Sequence, residues 1–177
     1  MYDNLFTSLT KNFYTVQEIH LAIRLLKEFF DSYFFKGKKK ENVKDALKKF
    51  LKERNDLEYT VRALLSLSDD FYNAFEQESA ASIFDTLEKK TDKCEQIVLY
   101  VPILLPGEET KKIGEWIRTN VSKSALIDLK VDRFATGGCA FVLKGVYYDF
   151  SLRYFLKKKE REITQMIHSY RKEHESI

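Results

Sequence analysis

Residues 131–159, VDRFATGGCAFVLKGVYYDFSLRYFLKKK, lay out a small scaffold in a single pass. Gly137-Gly138 reads as a turn, and 140–143 as a short strand. Lys144-Gly145 has the composition of a tight hairpin turn, and 146–148 returns as a second strand. Asp149 or Ser151 then caps a helix that carries Leu152, Phe155 and Leu156 among lysines. Nothing in this stretch is catalytic chemistry. An amphipathic, lysine-rich helix is a handle for a partner rather than a reaction site.

Upstream of this stretch the periodicity is of two kinds. Ala125, Ile127, Leu129 and Val131 alternate with Leu126, Asp128 and Lys130, which is strand spacing. The apolar run 97–104 suits a strand buried on both faces, with Pro102 placing its end at an edge or bulge. Between these strands, Pro106-Gly107 opens a helix with Ile113, Ile117 and Val121 inward. Two parallel strands and a connecting helix make a βαβ unit. Before Thr91-Asp92-Lys93 the spacing is helical. Thr15 and Glu18 form a capping box ahead of Val16, Ile19, Ile23, Leu26, Phe30 and Tyr33, and Leu21, Leu25 and Phe29 widen that stripe. Lys36 to Lys40 breaks it. A second helix carries Val43, Ala46, Leu47, Phe50 and Leu51. A third, capped by Asn55-Asp56, carries Leu57, Val61, Leu64, Leu65, Phe71 and Phe75. A fourth, capped by Ser79, carries Ile83, Phe84 and Leu87. The expected fold class is α+β: an N-terminal helical bundle over 1–92, then a small α/β domain over 93–177 with the βαβ unit, a β-hairpin and a basic C-terminal helix.

Composition narrows the function classes. The chain has 177 residues, 44% hydrophobic and 32% charged, which suits an ordered domain rather than a disordered one. Six glycines and two prolines favour helix over many-stranded sheet, and a net charge of +3 is no nucleic-acid signature by itself. Cys94 and Cys139, far apart in strand-like surroundings, leave two readings, a disulfide or two buried reduced thiols, of which the thiols are the commoner case in a cytosolic protein. The N-terminus has no basic region followed by a long apolar run, so it is not a secretory signal. The longest apolar stretch, 97–105, is too short to span a bilayer.

No pattern for chemistry stands out. Gly137-Gly138 lacks the GxxxxGK[ST] or GxGxxG surroundings of a phosphate cradle and precedes a strand, so a turn or bulge with positive φ is the better reading. His20, His168 and His174 are not spaced as metal ligands, and neither cysteine has a partner at zinc spacing. No GxSxG elbow presents a serine. Asp69-Asp70 and Glu108-Glu109 suit helix starts. Neither a catalytic residue, a metal nor a cofactor is expected. The basic cluster Arg153, Lys157, Lys158, Lys159 and Arg161 has three readings: a solvated face, a docking surface for an acidic or amphipathic helix, or an RNA contact with Tyr154 and Phe155 stacking. Trp116, beside Ile113 and Ile117, is either a core edge or an interface anchor.

The order of these residues resembles the C-terminal end of the delta subunit of F-type ATP synthases, the oligomycin-sensitivity-conferring subunit of mitochondria. That family ends in a hydrophobic strand, an aspartate, an aliphatic residue with a glycine pair, a strand pair, an Asp-x-Ser cap and a basic helix. The counterparts here are 125–131, Asp132, Gly137 and Gly138, 140–148, then Asp149, Ser151 and Leu152. Thr136 departs from the aliphatic residue before the glycines, Cys139-Ala140 follows them, and the N-terminal part is shorter than in the family. The resemblance covers roughly the last half of the chain.

The resemblance implies a non-enzymatic stator subunit of the peripheral stalk. Its helical bundle would grip the N-terminal helix of the alpha subunit, and its second domain the C-terminal end of the membrane-anchored b subunit. It would take part in proton-driven ATP synthesis without binding nucleic acid, as a monomer within a hetero-oligomer. It would lie on the cytoplasmic face of an energy-transducing membrane (matrix or stromal side in an organelle), held there through its partners. Gly137, Gly138, Asp149 and Ser151 are then structural. Trp116, Leu152, Arg153, Phe155, Leu156 and Lys157 are the expected stalk contacts. The alternative is a small RNA-binding or regulatory adaptor that uses the same basic helix, for which affinity would fall steeply with salt.

Overall fold

The computed structural model describes residues 2–35, 42–52, 58–77 and 79–174; the lysine cluster at 36–40 and the Asn55-Asp56 cap lie outside the described residues. Among the described residues the protein is α+β, with nine helices and a four-stranded mixed sheet. The chain runs α1 (Tyr2–Asn12), α2 (Val16–Phe35), α3 (Val43–Lys52), α4 (Glu58–Leu65), α5 (Asp69–Gln77), α6 (Ala80–Lys93), β1 (Gln96–Val101) and α7 (Gly107–Asn120). It continues with β2 (Leu126–Val131), β3 (Gly138–Leu143), β4 (Val146–Ser151), α8 (Leu152–Lys158) and α9 (Glu160–His174). The strand order is β2-β1-β3-β4, with β1 and β3 antiparallel and β3 and β4 antiparallel. Two compact units divide the chain: Met1–Gln96 with Leu105–Asp128, and Ile97–Leu104 with Leu129–Ile177. The helix α7 and the first half of β2 thus belong to the helical unit.

In the helical unit, the expected capping box starts α2. The Glu18 N–H donates to Thr15 Oγ1 at 3.0 Å, while Glu18 Oε2 accepts from the N–H groups of Tyr14 and Thr15 at 2.9 and 3.0 Å. Four N–H groups at a helix start have no intrahelical partner, and this exchange settles the first of them locally. The stripe that follows is as wide as its spacing predicts: Ile19, Ala22, Ile23, Leu25, Leu26, Phe29 and Phe30 are all buried. Phe30 stacks on Phe75 with centroids 4.3 Å apart, and Phe71 and Phe84 close around Phe75. Leu47 and Leu51 of α3 and Ile83, Phe84 and Leu87 of α6 join the same core.

Two helical expectations change. The single third helix through Phe75 is broken into α4 and α5. Ser66 Oγ turns back to the Ala63 carbonyl (2.7 Å), and the Tyr72 hydroxyl donates to the Leu64 carbonyl (2.6 Å). These bonds satisfy carbonyls that a continuing helix would have used, and Leu67 is buried inside the break. Asp69 and Asp70 fall in the first turn of α5, and Glu108 and Glu109 in that of α7, as the macrodipole favours. Ser79 holds the N-cap position of α6, but its side chain makes no capping bond. Its backbone carbonyl accepts from the Ile83 N–H instead.

Three expectations for the segment 97–131 are also corrected. The run 97–104 is not a strand buried on both faces: β1 ends at Val101, with Ile97, Leu99 and Val101 buried and Val98 and Tyr100 half-buried. Pro102 has no N–H for a ladder, and Ile103 and Leu104 beyond it are exposed. At the end of α7, Ile117 is buried but Val121 is an exposed C-cap residue. Burial in β2 does not alternate cleanly, because Leu126 is buried beside Ile127.

Candidate partner-docking surfaces

The β3–β4 hairpin and its junction with α8 come from local chemistry. Lys144 and Gly145 both have positive φ, 51° and 79°, which a two-residue turn matched to the twist of the strands requires. Gly138 has φ +77°, and a Cβ there would sit 2.3 Å from the Phe150 carbonyl oxygen. Gly137 does not share the positive φ; its carbonyl accepts from the Leu152 N–H at 2.9 Å and so ties the start of β3 to the start of α8. Asp149 Oδ1 accepts from the Ser151 N–H at 2.8 Å, and Ser151 Oγ accepts from the Tyr154 N–H at 3.2 Å. The Ser151 hydroxyl and N–H beside it hold the Asp149 carboxyl below the usual carboxylate range. Of the two expected caps, Ser151 is the N-cap, and Asp149 holds the turn that presents it.

This junction delivers a short helix with no buried residue. Leu152, Phe155 and Leu156 recur at helical spacing and are each about half exposed. Arg153 and Lys157 stand one turn apart beside them. The basic C-terminal helix is not continuous as expected. It breaks at Lys159, whose φ and ψ are −101° and 8°, and resumes as α9 with Met166, Ile167 and Tyr170 exposed. Phe141, Tyr148 and Phe150 form a row on one face of the hairpin, with ring centroids 4.9 and 5.7 Å apart. Exposed apolar side chains grouped on neighbouring elements are candidates for contact with another molecule.

The helical unit offers two further features. Trp116 stands on α7 at 60% exposure, so it is a surface residue and not a core edge. Between α1 and α5 lies a cleft of about 370 Å³ floored by Leu5, Phe71 and Ala74 and rimmed by Asn4, Ser8, Asp70 and Asn73. The resemblance implies a grip by the helical bundle without naming residues for it, and α1 is a helix beyond the four that the spacing predicts. The signal was faint: small polar residues one turn apart, at Asn4 and Ser8 on α1.

Arg118, also on α7, closes the C-terminal end of α1. Its guanidinium lies 4.3 Å over the Tyr14 ring and donates to the carbonyls of Thr10 and Phe13, the latter at 2.8 Å. Burial lowers the pKa of this arginine, yet its two carbonyl partners and the ring face keep the charge compensated.

His20 is half-buried and lies 3.4 Å from Asp92. Cys94 and Cys139 are free and half-buried, and burial raises both thiols above their ordinary range, which disfavours the reactive thiolate. Among the described residues there is no group of three or more His, Cys, Asp or Glu side chains placed to hold a metal ion. No described helix is long and apolar enough to cross a membrane. No protein-family model matches the chain, and no curated protein matches it at a significant level.

Proposed function

We propose that the protein is a non-catalytic stator subunit of a rotary F-type ATP synthase, joining the catalytic head to the membrane-anchored b subunit. The observation that carries this reading is the junction of Gly138, Asp149 and Ser151. The residues that give the chain its resemblance to the delta-subunit family are the ones whose backbone geometry and hydrogen bonds hold the hairpin against α8. The exposed Leu152, Phe155 and Leu156, flanked by Arg153 and Lys157, fit the apolar stripe of an acidic stalk helix.

In this reading α1 to α6 form the head-binding bundle. The cleft between α1 and α5 receives the N-terminal helix of an alpha subunit, its apolar stripe over Leu5 and Phe71 and its polar flanks against Asn4, Ser8 and Asn73. The mechanism is mechanical. Rotation of a central shaft drives synthesis only while the head is held still, so both grips need slow dissociation, which extended apolar contact provides.

Two variants separate the grips when the protein is used to capture subunits from gently solubilised membranes. Phe155→Glu with Leu156→Glu is expected to lower recovery of the b subunit by about thirtyfold, the loss of a hot spot of about 2 kcal/mol, with alpha still recovered. Asn73→Arg, on the cleft rim, is expected to do the reverse. Loss of both subunits together from either variant would contradict two separate grips.

The adaptor reading keeps one observation in its favour, the row of Phe141, Tyr148 and Phe150 as a stacking platform near a basic helix. RNA affinity that collapses with salt would support it, and capture of synthase subunits would remove it.

A further inference from the structure

The two edges of the sheet end differently. At β2, in the helical unit, the Ile127 N–H donates to the Tyr14 carbonyl at 2.9 Å, and Thr15 forms a parallel bridge with Ile127. The chain just before α2 therefore lies along that edge. At β4 no such cover exists among the described residues. Bonding sites alternate along an antiparallel strand. The bond from Leu152 N–H to the Gly137 carbonyl fixes which positions face β3: Val146, Tyr148, Phe150 and Leu152. Tyr147, Asp149 and Ser151 face outward. The Ser151 N–H is taken by Asp149 Oδ1, which leaves the N–H and C=O of Tyr147 and Asp149 directed away from the sheet.

Natural edge strands are blunted by brevity, proline, bulges or several charges. β4 is six residues long, has an unbroken register with β3, contains no proline and carries one charged residue, Asp149. Tyr147 is 59% exposed. An edge of this kind is suited to pairing.

We propose that the outer edge of β4 takes up an extended acidic segment of a partner protein as an added strand. Alternate residues of such a strand would lie beside the apolar row of Tyr148 and Phe150. Charge selects the occupant. Residues 129–163 carry eight Lys and Arg against four Asp and Glu. Among the described residues Arg153, Lys157 and Lys158 form no ion pair. A basic strand or a second copy of this chain would bring like charge to the same surface, whereas carboxylates at the end of an incoming strand nearer α8 would meet these cations.

The test uses the full chain and a capped decapeptide with a Val-Thr-Val-Thr-Val-Thr centre and two Glu at each end. At saturation, hydrogen exchange at the Tyr147 and Asp149 amides is expected to slow by about tenfold or more. The same peptide with Lys in place of Glu is expected to bind about tenfold more weakly. Tyr147→Pro removes one outward N–H without touching the β3 ladder and is expected to abolish the protection at Asp149, whereas Tyr147→Thr keeps it. The exchange measurement on the unaltered chain decides the matter even if the proline variant does not fold. Binding without slowed exchange at these two amides, equal binding of the Lys peptide, or no binding at millimolar peptide would overturn the proposal. So would slowed exchange that depends only on the concentration of the protein itself. None of these outcomes depends on the stator reading, which subunit capture decides separately.

Discussion

Gly138→Val is expected to destabilise the second unit by about 3 kcal/mol or more, summing backbone strain at a left-handed φ with overpacking. The sequence argued only for the φ. The structure adds a second penalty, because a Cβ at 138 would stand 2.3 Å from the Phe150 carbonyl and 3.0 Å from the Ser151 Cα. Both obstacles are backbone, so no side-chain rotation relieves them. The neighbours carry the Asp149–Ser151 turn, and the damage should reach α8: amide protection is expected to fall at Tyr154 as well as along β3. Gly137→Ala is the control. A Cβ there meets only Leu152, at 3.7 Å or more, and little change is expected. An unchanged melting transition for Gly138→Val would show that the left-handed geometry is not required.

Gly114→Val is expected to cost the helical unit a similar amount, about 3 kcal/mol, for a different reason. Gly114 lies mid-helix in α7 with ordinary φ, and a Cβ would meet the Tyr14 ring at 2.3 to 2.6 Å. Here the obstacle is a side chain, although a pinned one: Arg118 lies over the ring, and the Tyr14 hydroxyl donates to Glu115 Oε1 at 3.3 Å. Tyr14→Ala should therefore rescue part of the loss, giving a coupling of about 1 kcal/mol or more in a double-mutant cycle on thermal or denaturant unfolding. Additive losses would mean that the ring is not what excludes the side chain.

Legibility from sequence followed the range of the interaction. The Thr15–Glu18 capping box, the Lys144-Gly145 turn and the Ser151 cap involve residues within a few positions of one another, and each was readable from residue type. The wide burial of α2 was readable because two interleaved stripes leave a helix little polar face. The break at 66–68 was missed because Tyr72 and Leu67 decide it by packing, which helical spacing does not encode. The break at Lys159 was missed because no glycine or proline marks it. In β1 a continuous apolar run suggests burial on both faces, although only Ile97, Leu99 and Val101 are fully buried and Val98 and Tyr100 are half-buried.

The candidate surfaces divide in the same way. Leu152, Phe155 and Leu156 were readable as an apolar helical stripe, and the structure shows them exposed, so they are not part of a core. The α1–α5 cleft depends on two segments more than fifty residues apart and could not be assigned to residues from sequence. The strand-like cover on β2, made by Tyr14 and Thr15, is equally long-range, and without it the bareness of the β4 edge has no contrast.

Capture of bound proteins from gently solubilised native membranes, with the full chain as bait and identification by mass spectrometry, tests the stator assignment most directly. The account predicts that alpha, beta and b subunits of an F-type ATP synthase come down together. Recovery of RNA or unrelated proteins with no synthase subunit would contradict it.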